Sequence, residues 1–154
     1  MPFDRALRQF IYETIARTGR PPSHEAMAEH RGFTRDEVDA ALVKLEEQHA
    51  IALAPTTRNV WMAHPFSAVP TPFAALSDKT TYWANCAWDM LAIPALLELD
   101  ARAEPRCAES GEPRCAESGE PMPMVFRAGK LVEGDGLIHF VVPPRRFWDN
   151  VGYT

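Results

Sequence analysis

TTYWANCAWDMLAIPALLEL, residues 80–99, is the stretch that decides the fold class. Its first five residues are β-branched, aromatic or small, and they predict a strand over Thr80–Ala84. From Asn85 the pattern changes to a long apolar run that reads as a helix to about Leu99. Pro94 lies inside that run and predicts a kink or a break. A strand feeding directly into a buried helix calls for a mixed architecture of helices and sheet.

Working back from there, Phe73–Leu76 reads as a second strand, joined to Thr80–Ala84 by the turn Ser77-Asp78-Lys79. Residues 64–72, HPFSAVPTP, hold three prolines in nine positions and predict an extended linker. Before the linker the signals are helical. Leu7, Phe10, Ile11 and Ile15 share one face of a helix from Asp4 to Arg17, which Gly19, Pro21 and Pro22 end. Ser23 caps a short second helix that runs to about His30, with Gly32 as its stop. Thr34 and Glu37 have capping-box spacing for a third, whose apolar face is Val38, Ala41, Leu42 and Leu45. Ile51–Ala54 and Val60–Ala63 flank the polar turn Pro55–Asn59 and predict a hairpin.

Three helices and a hairpin predict a winged-helix-like domain over residues 1–63. On the far side of the helix, Met122–Phe126 and Leu137–Val142 read as strands separated by the turn-rich RAGK and EGDG. The prediction is therefore α+β. A winged-helix-like three-helix domain is followed by the linker at 64–72 and a mixed α/β domain at 73–154 with a small antiparallel sheet.

Composition narrows the function classes. The chain has 154 residues, 46% apolar and 24% charged, with net charge −5. An acidic balance argues against a domain that lives on phosphate contacts. The third helix repeats the message: Asp36, Glu37, Asp39, Glu46 and Glu47 oppose only Arg35 and Lys44. As a recognition helix it would repel DNA. No run reaches the roughly 18 apolar residues of a membrane span, and Asp4, Arg5 and Arg8 interrupt any signal-peptide core. A cytoplasmic location is the expectation. Three cysteines without an export signal read as free thiols.

EPRCAESG occurs at 104–111 and again at 112–119. Two identical copies are too few for a solenoid and read as a duplicated loop. Cys107 and Cys115 are then one position counted twice. Neither has zinc-site spacing, and the five histidines at 24, 30, 49, 64 and 139 are scattered.

The remaining thiol, Cys86, lies three residues before Asp89. On a helix that spacing puts both groups on one face, a turn apart. Near a helix start the dipole favours a thiolate, and Asp89 offsets part of this. Trp83 and Trp88 are candidate apolar walls. Other readings stay open. Cys86 serves equally as a small buried apolar residue, and Asp89 as a cap or a partner for Arg102.

The segment YWANCAWDMLAIPALL, 82–97, resembles the active-site segment of the alkylmercury (organomercurial) lyases. A later stretch, Ala101-Arg102 leading into Cys107-Ala108-Glu109-Ser110-Gly111-Glu112-Pro113, resembles the segment that follows it in those enzymes. So does the order of the domains. The resemblance implies protonolysis of the carbon–mercury bond of R–Hg⁺ to RH and Hg²⁺. Thiolate is the soft ligand that mercury prefers. Cys86 would bind the metal, with Asp89 beside it as a further contact to the mercury and as the carrier of a proton to the leaving carbon.

The resemblance also implies a second thiol from a strand just after a segment like FWDNVGYT. The sequence ends at Thr154, where that cysteine is expected next, so residues 73–154 read as an incomplete catalytic domain. Cys107 or Cys115 is the alternative second ligand, although the resemblance makes that position structural. No resident cofactor is implied. Mercury enters with a small organomercury substrate, external thiols release the product, and a mercuric reductase or cellular thiols receive Hg²⁺. A non-catalytic Hg²⁺-binding thiol module and a winged-helix regulator are the competing readings.

Overall fold

The computed structural model describes residues 4–105, 122–134, 138 and 142–149. The chain divides into two compact units, Met1–His64 and Pro65–Thr154.

The first unit is built from three helices, α1 (Arg5–Thr18), α2 (His24–Arg31) and α3 (Arg35–Glu47), and the hairpin β1 (Ala52–Leu53) and β2 (Val60–Ala63). Each helix starts where its cap lies. Asp4 accepts from the Leu7 N–H at 2.9 Å, and Ser23 from that of Ala26 at 3.2 Å. Thr34 and Glu37 complete a reciprocal capping box. Gly19 and Gly32 close α1 and α2 with φ of 74° and 64°, a backbone region that favours glycine. The apolar faces converge: Leu7, Ile11, Met27, Val38, Leu42, Leu45 and Ile51 are fully buried. Each large side chain among them contributes about 1.5–3 kcal/mol.

His24 lies inside the first unit. It is buried, and its Nε2 lies 3.1 Å from Asp39 Oδ1. The cations of α3 are engaged by neighbouring carboxylates, Arg35 by Glu25 and Asp39, and Lys44 by Glu47.

The second unit holds β3 (Phe66–Ser67), β4 (Phe73–Leu76), β5 (Thr81–Ala84), α4 (Ala87–Leu97), β6 (Ala101–Pro105), β7 (Met124–Arg127) and β8 (Lys130–Glu133). The strands lie in the order β3-β5-β4-β6-β7-β8, with each determined pairing antiparallel. This is the expected α+β class with an antiparallel sheet. α4 packs on β4, β5 and β6. Ala75, Ala84 and Ala103 are fully buried there, and their single methyl groups let helix and sheet approach closely.

Several details differ from the sequence reading. The proline-rich segment contributes a strand, because Phe66 is apolar enough to be buried beside Ala84 of β5. Pro94 does not end the helix. It is itself buried, so packing holds the turn despite the missing N–H. The strands β6 and β8 were not expected, and β6 takes in the first two residues of the duplicated segment. The rest of that duplication lies outside the described residues. So does nearly all of the strand expected at 137–142. Residues 144–149 form a 3₁₀ turn in which Trp148 is exposed.

The β7–β8 turn meets the end of α4 at Gly129. A Cβ there would stand 3.0 Å from both Glu98 Cα and the Pro94 carbonyl oxygen, and φ is +75°. Glycine is required on both counts. Among the described residues, no helix is long and apolar enough to cross a membrane.

Candidate active site

β5 delivers the chain to its last strand residue, Ala84, and α4 begins at Ala87. Asn85 and Cys86 make the corner. Cys86 is the N-cap of α4, in extended backbone with φ −151° and ψ 177°, and it makes no capping hydrogen bond. Asp89 stands in the first turn of the helix. The structure thus places the thiol at the helix start and the carboxylate one turn in, as their spacing predicts. Cys86 is a free thiol and half-buried.

The direction of the thiol's ionisation is a correction to the sequence reading. The helix start was expected to favour the thiolate. Instead burial pushes the Cys86 thiol above its usual value, and the charge of Asp89 adds to the rise. The N–H groups of Asp89 and Trp88 act the other way but do not prevail. A hydrogen bond to the Asp89 side chain also holds the proton on sulfur. Removing a thiolate from water costs more than one helix terminus returns.

Asn85 is the neighbour that sequence reasoning missed. Its Nδ2 donates to Asp89 Oδ2 at 3.2 Å and to the Phe66 carbonyl at 3.3 Å. The available signal was its spacing, four residues before Asp89 and next to the thiol. Thr71 closes the same corner, donating to the Ala84 carbonyl at 2.6 Å.

The two tryptophans differ. Trp83 is half-buried on β5, on the opposite side of the strand from the buried Tyr82 and Ala84. Trp88 is 58% exposed, so it leaves its side of the pair open to solvent. Cys107 and Cys115 lie outside the described residues. Among the described residues, no cluster of three or more His, Cys, Asp or Glu side chains is arranged to hold a metal ion.

A protonatable thiol and a carboxylate sharing a helix start can bind a soft metal and move one proton. Comparison with known proteins gives the chain a lineage. The family model for alkylmercury lyase matches residues 66–154, more than half of the chain. The chain belongs to the alkylmercury lyase family. The match begins at Phe66, the residue whose carbonyl accepts from Asn85.

Among solved structures, the mercury-bound form of MerB2 is similar, with a TM-score of 0.63 at 20% identity. The similarity covers 86% of this chain and 61% of that one. At that identity the likeness speaks for the fold, and the chain spans under two thirds of the MerB2 structure's length. No curated protein sequence matches the chain.

Proposed function

We propose that this alkylmercury-lyase-family chain cleaves the carbon–mercury bond of small organomercury cations through Cys86 and Asp89. The single observation that supports it is the placement of a half-buried thiol and a carboxylate on one helix start, inside the matched segment.

The chemistry is a proton relay without redox change. Cys86 gives its proton to the Asp89 carboxylate as the sulfur takes the mercury of R–Hg⁺. The Asp89 carboxyl group then protonates the carbon. The electron pair of the C–Hg bond becomes the new C–H bond, RH leaves, and Hg²⁺ stays on sulfur. The carboxylate is regenerated. The spacing of the thiol and the carboxylate on one helix start supplies the path for the first transfer. The chain supplies no resident cofactor in this scheme; external thiols strip Hg²⁺ from Cys86 and pass it to a mercuric reductase or cellular thiols.

The experiment is benzene release from phenylmercury in excess thiol. Release above the buffer blank is expected. Hg²⁺ binding that depends on Cys86, with no benzene above the blank, would replace the enzyme reading with a non-catalytic thiol module. That second reading draws on one observation: Cys86 is the one cysteine among the described residues.

A further inference from the structure

Asn85 occupies the residue between β5 and the thiol. Its Nδ2 has two N–H groups and meets two acceptors, the Phe66 carbonyl at 3.3 Å and Asp89 Oδ2 at 3.2 Å. Turning the amide over would set its oxygen against a carbonyl and a carboxylate, so the chemistry fixes its orientation. Phe66 is buried on β3, which pairs with β5 through Phe66↔Ala84. Its carbonyl is therefore a fixed point of the sheet. The carboxylate, in the first turn of α4, is tied through Asn85 to a strand and not only to its own helix.

We propose that Asn85 is a positioning residue for proton transfer, holding Asp89 by Oδ2 in the one rotamer that faces the Cys86 sulfur. This rests on the protonolysis reading above. With an amide N–H on Oδ2, the proton taken from sulfur and given to carbon travels on the other carboxylate oxygen. Asn85 itself touches neither sulfur nor substrate in this scheme. It acts on the rate of transfer and not on capture of mercury.

The test compares wild type with Asn85→Leu, which keeps the volume and removes both donors. Losing one hydrogen bond to a charged group is expected to lower kcat for benzene release about tenfold. KM for phenylmercury and affinity for Hg²⁺ stay unchanged. An unchanged kcat overturns the proposal. So does a fall in kcat, Hg²⁺ affinity and melting temperature together, which marks a purely structural role.

Wild-type release at the buffer blank rejects the lyase reading instead. The Asn85 side-chain amide signals in ¹H–¹⁵N spectra of the full chain then decide the orientation claim. They are expected to shift on Asp89→Asn. Signals that ignore that substitution overturn the proposal whatever the activity.

Discussion

Two helix starts in this chain solve the same problem in opposite ways. At α3, Thr34 accepts from the Glu37 N–H at 3.3 Å while Glu37 accepts from the Thr34 N–H at 2.8 Å. At α4, the equivalent position is Cys86, which caps nothing. Ionisation follows the same division. Hydrogen bonds to Thr34 hold the exposed Glu37 carboxyl below its usual value, whereas burial drives the Cys86 thiol above its own. Helix-terminal electrostatics are worth about 0.3–1 kcal/mol and win only where no burial opposes them. One start is built for stability. The other gives up a cap to place sulfur beside a carboxylate.

Converting the second start into the first is the strongest way to break the contrast. Cys86→Ser supplies the hydroxyl acceptor that α4 lacks. Benzene release is expected to fall to the blank and Cys86-dependent Hg²⁺ binding to vanish, because an alcohol is a poor ligand for a soft metal. The same variant is expected to gain about 0.5–1 kcal/mol of stability from the new cap. Calorimetry beside the activity assay checks both. Retained release would remove Cys86 from the chemistry.

Asp89→Asn probes the other half of the pair and keeps its shape. Loss of a general acid is expected to cost roughly 10²–10⁴ in kcat. Mercury capture by the sulfur is expected to survive, since the proton carrier is needed for release of the carbon and not for the Hg–S bond. Equal loss of binding and turnover would make Asp89 a structural residue.

The thiol's own titration sharpens the comparison further. Its value is raised from 9.0 by burial first and by Asp89 among the smaller causes. Alkylation of Cys86 by iodoacetamide should therefore climb about tenfold per pH unit and keep climbing past pH 9. In Asp89→Asn the plateau should come at lower pH. The sign for stability follows. The unfolded thiol ionises before the folded one, so this contribution is complete below pH 9 and declines as pH rises above it. A plateau well below pH 9 in the parent chain would show that the helix start prevails over burial.

The same contrast governs what the sequence disclosed. The first unit was legible because its signals are local. Asp4, Ser23 and the Thr34–Glu37 box mark helix starts within three residues, and Gly19 and Gly32 mark two ends. The β4–β5 hairpin was legible for the same reason, with its turn held by Ser77. β6 and β8 were not. β6 is stabilised by pairing with β4, some 26 residues away where Leu76 faces Arg102, and its own ARAEP, although it alternates small and charged residues, holds no β-branched or aromatic residue to announce a strand. β8 is exposed along its whole length, so no buried face wrote itself into the residues. At the site, the spacing of Cys86 and Asp89 gave their proximity. Neither the raised thiol nor the Asn85–Phe66 link was legible, because both depend on burial and on a strand 19 residues upstream.

Thr34→Ala gives the smallest effect and the cleanest control. It removes the hydroxyl that accepts from Glu37, leaving α3 with an uncapped start like that of α4. Loss of such a cap costs about 1 kcal/mol, which in a unit of this size lowers the melting temperature by roughly 4–8 °C. The thiol site draws on β3, β5 and α4, none of which includes Thr34. Benzene release and Hg²⁺ binding measured below the transition should therefore equal those of the parent. If the contrast between the two helix starts is sound, capping α4 raises stability and abolishes chemistry, while uncapping α3 lowers stability and leaves chemistry alone. A Thr34→Ala variant that loses turnover while still folded would break that division.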